Sequence, residues 1–455
     1  MSLAAMLGSR QAQGRPIRVA QIGAGKFGTM ILAQLRLMPG VQLCALADLD
    51  VERARAAAAR ANWEPERFAV ASSAGAANDV ARSGKTAIVP AGEIAAQCEV
   101  DVVIEATGHV EAATHHALAA MDAGHHVVMV TVEADVVIGP MLHRHAQKRG
   151  VIYSLAYGDQ PAIICEMIDW ARTCGFTVTA AGKGTQYLPK WRYSTPDTAL
   201  QHFGFTEEQI RLGGFNPKMF NSFLDGTKSA IEMNAIANAT GLGVPVHGLS
   251  FAPVGTSELA TKMRPKSAGG VLEREGILDV VTYLYDEGKQ VPDHIRFGVF
   301  VCFTSESAYA QRCFTEYGMH TDPTGKYTAL WRPYHLIGLE IGISIANVTL
   351  RGEPTGTPAH GPIGETVCAT RKAMQGGELI DGEGGYAAYG LLTTAERARA
   401  ERLVPMGLAT GLRLRHGVAK DHPISENDVE FDASSLVWKL RREQDAVFAA
   451  EPLPA

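Results

Sequence analysis

Short apolar runs recur through the first third of the chain, each followed by a stretch of helix-like spacing. Ile17–Ile22 (IRVAQI), Val41–Asp48 (VQLCALAD), Val100–Gly108 (VDVVIEATG), His125–Asp135 (HHVVMVTVEAD) and Gly150–Ala162 (GVIYSLAYGDQPA) read as strands. Runs that are apolar throughout belong to parallel sheets covered on both faces. Strands alternating with helices predict an α/β fold whose N-terminal part is a doubly wound Rossmann sheet. Further on, Phe176–Pro189 (FTVTAAGKGTQYLP) alternates toward Gly182, Lys183 and Gly184. A helix is predicted from about Phe220 to Ala239, stopped by TGLGVP. On it Asn221, Asp225, Lys228 and Glu232, spaced four, three and four, fall on one polar stripe, with Phe220, Phe223, Leu224 and Ile231 beside and behind it.

The pattern changes after RGEPTGTPAHGP, a Gly- and Pro-rich stretch. Two strand-like runs follow, CATRKAMQGGELIDGEGG and GLRLRHGVAKDHPISENDV, which look like a weak internal repeat. Three domains are therefore expected: a dinucleotide-binding domain over residues 15–155, an α+β catalytic and dimerisation domain over 156–355, and a small β-rich module over 360–445.

The strand Ile17–Ile22 runs into Gly23, Gly25 and Gly28, a G-x-G-x-x-G turn that opens an apolar helix. Asp48 ends the next strand twenty residues after Gly28. Strand, glycine turn, helix, strand and acid together make the dinucleotide fingerprint far more specific than the glycines alone. Gly23, Gly25, Lys26, Phe27 and Gly28 are thus the expected phosphate turn, where free N–H groups and the helix dipole favour anionic oxygens. Asp48 is the expected ribose ligand, which suits NAD. Arg53 and Arg55 follow closely and suit the 2′-phosphate of NADP, so the choice between NADP and NAD stays open at this level. Glu105, Thr107, Gly108 and Glu133, with Tyr157 and Asp159, are expected where the strands' carboxyl ends line the crevice. The pairs His115–His116 and His125–His126 lack metal-ligand spacing and read as packing residues.

Lys183 and Lys228 are candidates to stabilise a developing alkoxide, and Asp225 and Glu232 to move protons or hold hydroxyls. Asn221, on the same stripe, is a candidate substrate contact. Arg264 and Lys266 lie in MRPKSAGGVLE, which reads as a mobile basic loop able to close on an anion. Arg332, Tyr334 and His335 precede an apolar segment, and an arginine near a helix start suits a phosphate or carboxylate.

Composition narrows the classes. The chain is 46% hydrophobic and 20% charged, with a net charge of −6 spread along it. No basic patch suits nucleic acid, and no basic amphipathic helix suits a membrane surface. The seven cysteines are dispersed and never spaced C-x-x-C, as expected of reduced thiols in a cytoplasmic protein. MSLAAMLGSRQAQG lacks the apolar run of a signal peptide, and no window reaches the roughly 18 apolar residues of a membrane span.

Taken together, VAQIGAGKFGTM, DVVIEATG, SLAYGDQPA, AAGKGTQYLP, FNSFLDGTKSAIEM, RPYHLIGLE and LIDGEGGY resemble the homoserine-dehydrogenase-like oxidoreductases with a C-terminal SAF domain, the DXR-like enzymes among them. The second half of the weak repeat looks like SAF sequence. The resemblance implies a cytoplasmic homodimer of three-domain subunits. It implies conversion of 1-deoxy-D-xylulose 5-phosphate to 2-C-methyl-D-erythritol 4-phosphate with NADPH, in isoprenoid synthesis. The partner is then a small phosphorylated substrate. The carbon shift preceding reduction wants strong polarisation of adjacent oxygens, by cations or a divalent metal. The sequence has no compact ligand motif, so any such ion is expected to be carboxylate-bound. Homoserine dehydrogenase itself is an alternative, but Glu133–Ala134 stand where those enzymes carry an Asn–Lys pair. A non-catalytic NAD(P)-binding sensor or assembly protein is another.

Overall fold

The computed structural model describes residues 2–213 and 215–450. Two compact units make up the chain: the segment up to Ile163 with Leu336–Ala359, and Ile164–His335 with the segment from His360 onward. Residues 336–355, read from sequence as part of the middle domain, thus cluster with the first unit. The C-terminal segment clusters with the middle of the chain.

The first unit is built on seven parallel strands: β1 (Ile17–Ile22), β2 (Val41–Ala47), β3 (Phe68–Val70), β4 (Thr86–Val89), β5 (Val102–Glu105), β6 (His126–Met129) and β7 (Tyr153–Leu155). Their order is β3-β4-β2-β1-β5-β6-β7, so the winding reverses between β1 and β5. That reversal opens a crevice at the carboxyl ends of β1 and β5, where ligands of such sheets bind. Helix Lys26–Leu35 buries Ile31, Leu32 and Leu35 against the sheet. Helix Val51–Arg60 starts at Asp50, whose carboxylate accepts from the Glu52 and Arg53 N–H groups as an N-cap. The expected strand over His125–Asp135 stops at Met129, and helix Val132–Arg149 begins three residues later. Glu133 therefore sits in a helical first turn rather than at a strand end, where the helix dipole favours an acid. The returning segment closes the β7 edge: Leu155 N–H donates to the Gly356 carbonyl (2.8 Å), and Thr355 N–H to Ser154 Oγ (2.9 Å).

The second unit carries a mixed sheet of β8 (Thr177–Thr185), β9 (Ala252–Pro253), β10 (Ile277–Thr282), β11 (Val299–Thr304) and β12 (Thr328–Arg332), ordered β12-β11-β8-β10-β9. Strands β8, β9 and β10 are parallel, while β11 is antiparallel to both its neighbours. Leu259, Met263, Leu272 and Phe300 belong to a buried core on this sheet. Helix Thr227–Thr240 packs on β10 and on the hairpin β13 (Gly364–Thr370)–β14 (Ala388–Thr394). The two halves of the weak repeat pair with each other, Met374 opposite Val418 and Leu379 opposite Arg413. They enclose a small core of Met374, Ile380, Val404, Leu414, Ile424 and Trp438. Among the described residues no helix is long and apolar enough to cross a membrane, and all seven cysteines are free thiols.

Asp135 is a carboxylate placed within the core of the first unit. Asp135, on the inner face of helix Val132–Arg149, is fully buried. Tyr153 Oη donates to its Oδ1 (3.0 Å), and its Oδ2 has no partner among the described residues. Burial pushes this carboxyl up to about 7, opposed only by the tyrosine hydrogen bond. The folded state therefore holds a proton that the unfolded chain releases near pH 4. Its contribution is fully present below pH 4 and is lost as pH rises to about 7. Asp135→Asn removes the proton exchange and keeps an acceptor for Tyr153. Urea unfolding between pH 4 and 8 should show wild type losing stability relative to this variant as pH rises through that window. A pH-independent difference would mean that Asp135 is not held neutral.

Candidate active site

The candidate nucleotide-binding residues lie at the end of β1. Gly23 has φ +102°, a left-handed conformation that only glycine adopts readily. A Cβ on Gly28 would strike the Gly23 carbonyl, so the third glycine is fixed by the closeness of turn and helix. Gln21 Nε2 ties the turn by donating to the Gly23 (2.9 Å) and Gly28 (3.0 Å) carbonyls. Gly25 has open space where a Cβ would sit, and it caps helix Lys26–Leu35. Gly25 and Lys26 are exposed and Phe27 is half-buried. An accessible glycine backbone at a helix N-terminus fits the pyrophosphate of a dinucleotide.

Asp48 is placed beside this turn, but its carboxylate is already engaged. Oδ2 accepts from Ala24 N–H (3.0 Å), while Oδ1 accepts from Asp50 N–H (2.9 Å) and from Arg53 Nε (2.9 Å) and Nη2 (2.5 Å). Glu105, ending β5, is likewise buried and turned inward. It accepts from Thr107 Oγ1 (2.6 Å), from Thr131 Oγ1 and from the Thr107 N–H, and its Oε1 is 3.2 Å from His116 Nδ1. Thr131 Oγ1 in turn accepts from the Gly108 N–H (2.9 Å). Glu105 therefore shapes the loop that carries the half-exposed Thr107 and the exposed Gly108, instead of facing the crevice. The sequence reading missed Thr131, and it took His116 only as a packing residue. A carboxylate buried at a strand end needs such donors, and that was the available signal.

The candidate acid–base residues of the second unit depart from the expected single helix. Asn216 caps a first helix, Pro217–Leu224, with Pro217 at its opening position. Gly226, at φ +88°, breaks the chain, and helix Thr227–Thr240 starts afresh. Asp225 and Gly226 form the break, so the four polar residues do not share one stripe. Asp225 Oδ1 accepts from Thr227 N–H (2.8 Å), and Oδ2 pairs with Arg371 Nη2 (2.5 Å). Burial pushes the Asp225 carboxyl up, against the pull of Arg371 and Thr227. Asn221 Nδ2 donates to the Ser194 (3.1 Å) and Gly384 (3.0 Å) carbonyls. Both side chains thus anchor the β-rich module.

Glu232 pairs with Lys183, and both are buried. The glycines flanking Lys183 have a packing reason: a Cβ on Gly182 would strike the Asp279 carbonyl, and one on Gly184 that of Ile295. Lys183 therefore points at helix Thr227–Thr240, and the hydrogen bond to Glu232 is the ammonium's one hydrogen bond among the described residues. An ammonium has three donors, and this bond uses one of them. Lys228 is half-buried in the first turn of that helix.

The outlying candidates separate. Arg264 Nη1 pairs with the buried Asp322 (2.6 Å), and the loop after it is knit by its own backbone, with Lys266 N–H to Leu272 O (2.8 Å) and Leu272 N–H to Arg264 O (3.1 Å). The expected mobile basic loop is instead a turn closed by its own backbone, in which Lys266 is exposed and Arg264 is half-buried. Arg332 ends β12, ten residues before helix Gly342–Ala346, and lies 5.4 Å from the Tyr334 ring centroid. His335 Nδ1 is 2.7 Å from the Phe297 carbonyl. Among the described residues no cluster of three or more His, Cys, Asp or Glu side chains could hold a metal ion.

This geometry agrees with what the chain matches. Residues 23–155 match the NAD-binding domain of homoserine dehydrogenase, and residues 158–341 match the catalytic domain of oxidoreductase DRL. The chain is therefore an NAD(P)-dependent oxidoreductase built on a Rossmann domain. More narrowly, it is of the DRL/homoserine-dehydrogenase-like type. No curated protein matches it. Among solved structures, it aligns with a probable dehydrogenase from Thermotoga maritima at 15% identity and TM-score 0.37, over 74% of this chain and 90% of that one. The 1-deoxy-D-xylulose 5-phosphate reductoisomerase of Zymomonas mobilis in complex with NADPH aligns at 21% identity and TM-score 0.32, over 48% of this chain and 57% of that one.

Breaking a buried ion pair from one side leaves an uncompensated charge and costs about 3–5 kcal/mol. Arg371→Met should therefore lower the urea midpoint sharply. Adding Asp225→Asn should recover part of the loss, because the stranded charge goes with it. Equal midpoints for the single and double variants would show that the pair carries no such constraint.

Proposed function

We propose that the chain is an NADPH- or NADH-dependent reductoisomerase acting on a small phosphorylated ketose, with 1-deoxy-D-xylulose 5-phosphate converted to 2-C-methyl-D-erythritol 4-phosphate as the leading assignment. The observation that carries it is the buried Lys183–Glu232 pair, with unspent ammonium donors, inside the segment that matches the DRL catalytic domain. A reduced dinucleotide bound through its pyrophosphate at the Gly23–Gly28 turn supplies the hydride that such a reduction requires.

The chain's own residues have these roles in the proposal. The Lys183 ammonium donates to the oxygen on which negative charge develops, an electrostatic stabilisation worth about 2.7–4 kcal/mol per donor in comparable sites. Glu232 aims that ammonium and takes part in proton movement. Lys228, one turn earlier on the same helix, is a second cation for the substrate's oxygens or phosphate. Asp225 positions the start of that helix through Thr227. Lys266, Arg332 and His335 remain candidates for substrate contact. The β-rich module is assigned as SAF-like and the working form as a cytoplasmic homodimer, both on the resemblance. The match to a homoserine dehydrogenase cofactor domain keeps homoserine as a second substrate to test.

The test is oxidation of NADPH and of NADH against a panel of phosphorylated ketoses and aspartate semialdehyde, with products identified by mass. Turnover of 1-deoxy-D-xylulose 5-phosphate to the branched polyol phosphate is the expected result, and complementation of a strain lacking the reductoisomerase checks it. Lys183→Met and Lys228→Ala should each lower kcat by about 100-fold or more while cofactor affinity is kept. Turnover of the aldehyde alone, or variants as active as wild type, would overturn the assignment.

A further inference from the structure

One arginine of the second unit lacks the counter-charge that others there possess. Arg264, Arg371 and Arg441 each face a carboxylate, those of Asp322, Asp225 and Glu365. Arg296, half-buried in the turn before β11, faces a neutral amide instead: its Nη2 donates to Gln186 Oε1 (2.7 Å). Its Nε and Nη1 have no hydrogen-bond partner among the described residues, and no carboxylate there lies within ion-pair distance of it. Asp293, three residues before it, is exposed and forms no ion pair with it. A guanidinium cannot shed its charge, so partial burial without a counter-ion costs free energy unless an anion comes to it. The surroundings hold the group in place. Its Cζ lies 4.9 Å from the centroid of the buried Tyr283 ring and 4.7 Å from that of the exposed Phe297 ring. Gln186 is itself held, its Nε2 donating to the His202 carbonyl (2.8 Å), so its oxygen is turned to Arg296. An amide aims a guanidinium without cancelling its charge. With two rings against the group, the N–H edge is what remains for a ligand, and that edge matches a phosphate.

The position is a ligand edge. Gln186 and Tyr283 follow directly on Thr185 and Thr282, the last residues of the parallel strands β8 and β10, and ligands gather beyond the carboxyl ends of such strands. Gly298, two residues after Arg296, accepts from the Gly184 N–H (3.0 Å), and Val299 pairs with Lys183. Gln186 is three residues beyond Lys183, so their Cα atoms are no more than about 11 Å apart. A phosphorylated five-carbon chain, met by two long side chains, is long enough to bridge such a gap. We propose that Arg296 is an anion-recognition residue of the second unit, that it binds a phosphate monoester, and that Gln186 is its positioning residue. The anion site stands on this geometry alone; taking its occupant to be the substrate's phosphate rests on the reductoisomerase reading.

The test uses the full chain with saturating oxidised cofactor, so that the glycine turn is filled, and titrates inorganic phosphate by phosphorus NMR and calorimetry. Wild type should bind phosphate. Arg296→Met keeps an apolar stem against Tyr283, and Gln186→Glu supplies the missing counter-charge while Arg296 stays in place. Each should weaken phosphate binding about 10- to 100-fold with cofactor affinity kept, and Arg296→Lys should recover part of the loss. In turnover, Arg296→Met should raise KM for 1-deoxy-D-xylulose 5-phosphate by the same factor and lower kcat far less. It should not shift KM for the unphosphorylated sugar, whereas a role in folding alone would not separate the two sugars. Absence of phosphate binding by the cofactor-bound wild type, wild-type phosphate affinity in Gln186→Glu, or an unchanged KM in Arg296→Met would overturn the inference. Phosphate binding that both variants lose supports it even where no ketose phosphate is turned over, a result that counts against the reductoisomerase reading alone.

Discussion

A single guanidinium fastens together parts of the second unit that lie far apart in sequence. Arg371 donates to Asp225 across 146 positions, to the Arg192 and Ser194 carbonyls (both 2.6 Å), and to Ala388 O within its own module (2.8 Å). A buried charge is costly unless its donors are satisfied. Four of its five N–H groups are matched here, and only Nε is left without a partner. Once Arg371 is in place, the turn around Ser194 and the break before Thr227 have little freedom. The β-rich module is thus part of the framework that orients helix Thr227–Thr240, which explains why it does not separate as a third body.

The same interaction shows where reading the chain locally stops working. The Rossmann half was legible because its determinants are short-range: apolar runs, a glycine turn and an acid twenty residues on. The strands Phe68–Val70 and Thr86–Val89 escaped notice because runs of three and four residues carry little periodicity. The single helix through Asp225 failed for a nearer reason. Asp–Gly is a turn signal in its own right, and Asn216–Pro217 already announced a separate, short helix. The polar spacing of four, three and four outweighed both, although spacing alone cannot say which partners a side chain meets. Arg371, Ser194 and Gly384 lie too far along the chain for any local window to supply them. The same holds for the return of residues 336–359 to the first unit.

Burial alone does not distinguish the Asp225–Arg371 and Lys183–Glu232 ion pairs of the second unit, but their hydrogen bonding does. Asp225 and Arg371 spend their capacity on backbone groups from several segments, which is how a structural clamp is built. Lys183 and Glu232 spend theirs on each other. Replacing a buried pair by apolar side chains is often neutral or stabilising, so a pair so sparsely bonded is poorly explained by stability. Its surroundings do not require it either. Gly182 and Gly184 flank the lysine because neighbouring carbonyls come too close for a Cβ, and the apolar core of this sheet is formed by other residues such as Leu259 and Phe300. An ammonium fixed by one carboxylate, with donors to spare, is the arrangement on which the proposed role in stabilising a developing negative charge rests. By that reasoning Lys183 ranks above Asp225 as the group to remove first in any test of the chemistry, although the spacing of the sequence treated them alike.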